Sequence, residues 1–476
     1  MVKKILIILV FLLIIIAGLT GYQWLMYDKL GKTTERVQTE NLEIEAELVH
    51  KDGELSITQT VSKLGQDSFL IEIPRGVKDF ECHFGNGENC EIREDSNYYR
   101  IPVGSETLIT FKYSIPFDEG KNDYWLENGF VQLFSNNETP LFGNFTVTIL
   151  EDVNKSNRWF SGALSEVHVD KEHISYFAWT KKDTKNFPLY MSKAQLNKIE
   201  GFEPHLSLFL LNSTDEEVGF TNNWHKQLHS RNGLTIVQSN SEQVYIAPLL
   251  VVIPKDYNVE KWEELAIQAY LQNYKKPDTQ DIEWVWNVLP SFILDRPTGE
   301  GKELEMSKEL LENLQPESKN AFASWLLKQN KDNLTGITLA DLDKQLSELC
   351  SLKVIFFEKN ESKNSPFVPL YFIDQRKVFF GNKEVNLKWN AVIKNNDLLF
   401  PFQETLEITG FDINVVTELE KYEVMKDEKR WTFSLEEGTS PSPLELIGEE
   451  LYISENGLEK FLNIEVIKRN EGIYLR

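Results

Sequence analysis

Histidine and cysteine are scarce in this chain, with seven of one and three of the other in 476 residues. So few leave little from which to build a multi-histidine metal centre or a disulfide scaffold. No Ser-His-Asp or Cys-His arrangement can be argued from their positions. There is no Gly-rich phosphate loop, and no D-x-D-x-D-G loop of the kind that cradles calcium. Positive charge is also short, at 50 Lys and Arg against 74 Asp and Glu, for a formal net charge of -24. With no basic cluster beyond short runs, nucleic acid is excluded as a partner, because phosphate binding needs a basic footprint. Apolar material is ample: 41% hydrophobic and 12% aromatic residues describe a globular chain, not a disordered one. The length leaves room for roughly three domains.

The longest apolar run lies at the start. Residues 5–22 are almost continuously apolar, about long enough to cross a bilayer, and Lys3 and Lys4 precede them. The positive-inside rule then places everything after Tyr22 outside the cytoplasm. A cleaved signal peptide has a shorter apolar region ending in a small-residue site, and residues 17–20 match that poorly. The reading is therefore an uncleaved signal anchor, single-pass in the cell membrane, followed by a polar stalk.

From 41 to 180 the sequence alternates with the strand period. Residues 42–49, 54–60, 69–73 and 107–113 alternate apolar and polar, separated by Gly, Asn, Asp and Pro turns. That spacing predicts an antiparallel β-sandwich. Cys82 and Cys90 bracket a turn-rich stretch that reads as a hairpin, across which the two can pair in an oxidising exterior. Cys350 is left over and reads as a small buried hydrophobe.

The pattern changes after 180. Strand-like runs at 206–211 and 234–237 lead into helical patterns at 259–273, 282–294, 302–314, 317–329 and 338–350. In the first of these, Trp262, Leu265, Ala266, Ala269 and Tyr270 form one apolar stripe, and Asn258 is a suitable N-cap. The stretch KWEELAIQAY at 261–270, with WVWNVLPSFI at 284–293, resembles a gluzincin zinc-peptidase core stripped of its ligands. Such a core carries H-E-x-x-H on one helix, because residues i and i+4 share a face and hold one ion while the Glu activates water. A third ligand, a Glu, comes from a second helix. The resemblance sets Glu263 and Ile267 at the two His positions, Glu264 at the catalytic Glu and Asn287 at the third ligand. Ile267 cannot bind zinc and Asn287 is a poor substitute for a carboxylate, so these positions read as remnants and no catalytic residue, metal or cofactor is expected. Pro290 departs from the family pattern and predicts a kink. His225 and His229, also at i and i+4, are weak metal candidates in what reads as a surface loop or short exposed helix. Lys226 stands where their general base would be.

Near the C-terminus, residues 377–387, 391–402 and 406–415 resemble the stalk domain named after the N-terminal domain of copper amine oxidases. The family has a strand with N-G-K-E-V, an apolar strand ending in V-P-L-R, and a helix ending in L-G. Here Pro401 marks entry to the helix, Gly410 closes it, and Gln403 replaces the arginine. A second copy follows at 450–467, with Asn463 in place of the Gly. The whole reads as a multidomain α+β chain: transmembrane signal anchor 1–24, juxtamembrane linker 25–40, β-sandwich 41–180, mixed α/β gluzincin-like domain with a helical half 181–352, and two small α+β stalk repeats 353–476. The function this implies is a bacterial-type envelope protein, a non-catalytic pseudo-metallopeptidase that binds or scaffolds a peptide, protein or cell-wall partner. The alternative is a hydrolase with a non-standard site, using Glu263 and Glu264 as paired carboxylates or His225 and His229 as metal ligands. Adjacent helical residues point about 100° apart, which weighs against the carboxylate pair.

Overall fold

A computed structural model of the chain describes residues 42–51, 53–95, 97–151, 156–163, 165–199, 202, 206–211, 220–228, 233–274, 280–328, 336–416, 421–435 and 442–476. The expected membrane anchor at 5–22 and linker at 25–40 lie outside the described residues. Among those described, no helix is long and apolar enough to cross a membrane. The fold is sheet-rich α+β in two compact units. One comprises the chain through Asp118 with Asn128–Val153 and His168–Asn186; the other comprises Glu119–Glu127, Asn154–Val167 and Phe187–Arg476.

In the first unit the strand Leu42–Lys51 buries Leu42, Ile44, Ala46 and Leu48 and turns Glu45 and Glu47 outward, as its alternation requires. It pairs antiparallel with Glu54–Ser62 but parallel with Gly143–Glu151, which corrects the all-antiparallel expectation. A parallel neighbour needs a long crossover, and the chain between these two strands supplies it. The strands Ser175–Thr184, Gly143–Glu151, Leu42–Lys51, Glu54–Ser62, Leu108–Pro116 and Lys78–Phe84 lie side by side in that order. A second sheet runs Arg93–Asp95, Tyr98–Pro102, Ser68–Glu72, Gln132–Phe134. The buried Gln59 on the first sheet donates to Val131 O at 2.9 Å and accepts from Val131 N at 2.8 Å. That amide thus satisfies backbone beside the second sheet, as a buried polar group must. Cys82 and Cys90 are joined in a disulfide, Cα atoms 5.3 Å apart, at the neck of a hairpin closed by Cys90 N on Cys82 O.

The second unit holds a five-stranded sheet in the order Leu196–Ile199, Leu206–Leu211, Leu234–Ser239, Leu250–Pro254, Tyr245–Ala247. Its two inner joints are parallel and its outer two antiparallel. Helix α1, Val259–Gln272, begins where Asn258 Oδ1 accepts from Lys261 N at 2.9 Å. It shares one core with Leu208, Ile236, Val251 and Ile253 of the sheet. A 3-10 helix, Gln280–Asn287, follows, then the short α2, Pro290–Leu294. Pro290 therefore opens a new helix instead of kinking one, since its missing N–H is harmless in a first turn. Then come α3 (Lys302–Asn313), α4 (Pro316–Leu327), α5 (Leu339–Cys350) and the single turn α6 (Phe356–Lys359). Thr338 and Asp341 form a reciprocal capping box at the start of α5.

Further on, a second five-stranded sheet runs Phe372–Ile373, Val392–Lys394, Asp397–Pro401, Glu450–Ser454, Leu444–Ile447. Helices α7 (Phe402–Ile408) and α8 (Glu455–Leu462) leave its third and fourth strands. Gly410 and Asn463 follow them with φ of 84° and 56°, the left-handed turn that releases a helix end.

One buried carboxyl sets a pH dependence. Asp343 on α5 accepts from Phe357 N and Glu358 N, each at 2.9 Å, and so caps α6 from outside. Burial pushes its pKa up from 3.8 to about 6, outweighing these backbone donors, which favour the ionised form. Between those values the folded chain holds a proton that the unfolded chain has released, so this group's contribution to stability falls as pH rises. In urea unfolding across pH 4 to 7, the wild type should lose stability relative to Asp343→Asn between about pH 4 and 6, by on the order of 3 kcal/mol at most, then level off. A difference that stays flat or grows with pH contradicts this assignment.

Candidate functional site

Helix α1 divides its side chains sharply. Trp262, Leu265, Ala266, Ile267, Ala269, Tyr270 and Leu271 are buried in the core, and burying a large apolar side chain is worth roughly 1.5–3 kcal/mol. That stripe fixes the rotation of the helix. Glu264 and Gln268, four residues apart and therefore on one face, are left on the polar side.

Glu263 and Glu264 consequently enter different networks. Glu263 is fully buried; its Oε1 accepts from Trp224 Nε1 at 3.2 Å and its Oε2 lies 3.6 Å from Arg296 Nη2. Glu264 meets Lys261 Nζ at 2.8 Å and accepts from Gly299 N at 3.3 Å. The two carboxylates do not address one point in space.

Asn287, at the end of the 3-10 helix, accepts from Gln268 Nε2 through its Oδ1. Its Nδ2 donates to Glu303 Oε1 at 3.1 Å, and Thr298 Oγ1 donates to its backbone carbonyl at 3.0 Å. Glu303, in the first turn of α3, also lies 3.7 Å from Lys363 Nζ and accepts from Glu300 N at 3.4 Å. Gly299 ties the two acids together. Its φ is 81°, and a Cβ there would stand 2.5 Å from Glu303 Cβ, so only glycine lets the backbone N–H reach Glu264 while Glu303 packs behind it.

The candidate site is thus a cluster of Glu264, Gln268, Asn287 and Glu303. It differs from the set expected from sequence. Ile267 is fully buried in the core, and the residue that meets Asn287 is its neighbour Gln268. Leu265, which follows Glu264 on the helix, is buried. The signal was present in the sequence: the apolar stripe already assigns 264 and 268 to the opposite face. Glu303 and Gly299 carried no comparable mark, being brought in by the turn before α3.

The cluster offers two carboxylates and two amides, with Lys261 and Lys363 as counter-charges. Asn287 has its oxygen engaged by Gln268 and its nitrogen by Glu303, so its donor and acceptor are turned on the cluster itself. Among the described residues, no three His, Cys, Asp or Glu side chains converge to hold a metal ion. His225 also departs from expectation. It is buried, with its ring centroid 5.2 Å from Phe202, 5.7 Å from Phe220 and 6.1 Å from Trp224, not exposed on a loop. His229 lies outside the described residues. Cys350 is half-buried, and burial pushes its thiol pKa up, which suits an inert side chain.

Rebuilding a zinc site tests the register. The triple variant Glu264→His, Gln268→His, Asn287→Glu is expected to take up one zinc per chain in calorimetric titration. The variant Glu263→His, Ile267→His, Asn287→Glu should bind none and lose roughly 3 kcal/mol or more, because it drives polar groups into a packed core. The opposite ranking would restore the original register.

No protein-family model matches the chain, and no curated protein sequence matches it. Among solved structures, it is similar to an M1 zinc metallopeptidase from Deinococcus radiodurans, with 10% identity and a TM-score of 0.44 over 65% of this chain and 91% of that one. A single-substitution mutant of the M1 zinc metallopeptidase from that organism gives 10% identity and a TM-score of 0.47 over 70% of this chain and 95% of that one. The mutant bound to a Tyr-Ser-Ala substrate gives 11% identity and a TM-score of 0.44 over 65% and 90%.

Proposed function

We propose that this chain is a membrane-anchored extracytoplasmic protein whose peptidase-like middle region binds or scaffolds a partner without cutting it. The observation that carries the reading is the Gln268 to Asn287 amide contact beside a buried Leu265. Zinc hydrolysis needs imidazole or carboxylate ligands, an open coordination position and a base at the bound water. Amides are weak zinc donors, and a leucine accepts no proton. Reading Glu264 and Gln268 at the two ligand positions puts the general base's place at Leu265, and of the two acids in the cluster Glu264 is paired with Lys261 while Glu303 accepts from Asn287.

The remaining parts of the reading follow from the sequence. The apolar segment 5–22 would hold the chain in the cell membrane, and residues 353–476 would act as a stalk or spacer related to the copper amine oxidase N-terminal domain. The partner would be a peptide, a protein or a cell-wall component.

Metal analysis of the purified protein after equilibration with zinc, run alongside cleavage of a mixed peptide pool, checks the central claim. The expected result is far less than one zinc per chain and no chelator-sensitive cleavage. Stoichiometric zinc together with chelator-sensitive cleavage would overturn it in favour of a working hydrolase.

A further inference from the structure

The first turn of α3 faces two ways. Glu303 turns into the cluster, while Lys302, one residue earlier, turns toward the loop that follows α6. The Lys302 ammonium lies 2.8 Å from Ser362 O, 3.1 Å from Ser365 O, 3.0 Å from Ser365 Oγ and 3.4 Å from Pro366 O. It also sits 5.4 Å from the centre of the Trp284 ring, and Trp284 Nε1 donates to Glu361 O at 3.1 Å. One cation thus gathers the oxygens of a single loop, and burial lowers its pKa from the usual lysine value.

The loop's neck is built differently. Asn360 is fully buried; its Nδ2 donates to Val368 O at 2.8 Å and to Phe356 O at 3.0 Å, and its Oδ1 accepts from Val368 N at 2.9 Å. That two-way pairing closes residues 360 and 368 into a fixed base. The tip is mostly exposed, and Lys363 extends from it to Glu303 at 3.7 Å. A side chain as open as Lys363, at 65% exposure, contributes little holding force by itself. Lys302 is therefore the main tie between tip and domain.

We propose that residues 361–366 form a strap over Glu303, at the edge of the cluster with Glu264, Gln268 and Asn287, hinged at Asn360 and Val368 and latched by Lys302. The strap moves as a unit: loss of the latch frees the tip and uncovers Glu303, while the neck stays paired. A binding partner that reaches Glu303 must displace it. This rests on reading that cluster as the working part of the domain, but it concerns access to the cluster, not its chemistry.

The test uses the full chain and two variants on the same helix, Lys302→Met and the exposed control Lys308→Met. Trypsin cleavage after Lys363 and carbodiimide-coupled amine labelling of Glu303 are both read by peptide mass spectrometry. The expected result is cleavage and labelling each at least fivefold faster in Lys302→Met than in wild type or Lys308→Met, with cleavage after Lys359 in α6 unchanged. Three results would overturn the strap: no difference between the two variants, faster cleavage after Lys359 as well, which would mean that α6 unfolds, or a freed tip with Glu303 labelled no faster. None of these outcomes alters the zinc and peptidase result, so the two readings fail separately.

Discussion

The rotation of α1 on its sheet decides most of what this domain presents. Seven large or close-packed side chains of that helix are buried from Trp262 to Leu271, and their burial outweighs any single hydrogen bond, which nets only about 0.5–1.5 kcal/mol. Turning the helix by one residue, about 100°, would bring Ile267 out and push Glu264 or Gln268 in. The polar residues therefore take whatever faces the packing leaves them. Glu263 is the exception that confirms the order of forces. It falls on the buried side, and a buried carboxylate is tolerated only with partners, which Trp224 and Arg296 supply.

The same logic explains which expectations from sequence survived. Helices carry a periodic stripe and caps, so those at 259–273, 302–314, 317–329 and 338–350 correspond within a residue or two to α1, α3, α4 and α5. Gly410 and Asn463 were legible because a helix end needs a left-handed residue and few side chains tolerate one. The parallel pairing of Leu42–Lys51 with Gly143–Glu151 was not, since alternation is identical in parallel and antiparallel strands. His225 was misjudged through its neighbours. Asn222, Asn223 and Ser230 suggest a surface, whereas the enclosing rings include Phe202, which is distant in sequence. The presence of Gln268 in the cluster, and not Ile267, has another origin. A ligand motif fixes spacing but not phase, and phase is set by the apolar stripe.

Near the C-terminus, two hairpins are built alike. The hairpins Val392–Lys394 with Asp397–Pro401 and Leu444–Ile447 with Glu450–Ser454 each feed a short helix, and their inner strands pair antiparallel with Phe400 opposite Ile453. An antiparallel joint between like strands relates the two halves by an approximate two-fold. Each half covers the other's strand edge, which a lone hairpin would leave open. Two hairpins that are marginal alone become one sheet with a shared core. That mutual cover needs no ligand at all.

The cluster beside α1 is best understood through what its amides already do. In a zinc site the ligands repel one another until the ion arrives, so the pocket is incomplete without its metal. Here Gln268 donates to Asn287, Asn287 donates to Glu303, and Glu264 accepts from Lys261 and from Gly299. The donors and acceptors complement one another, and removing one member would strand its neighbour partly desolvated, which is costlier than the bond itself is worth. The cluster holds its own shape through these bonds. On the binding reading proposed above, a ligand would exchange hydrogen bonds with this cluster one for one.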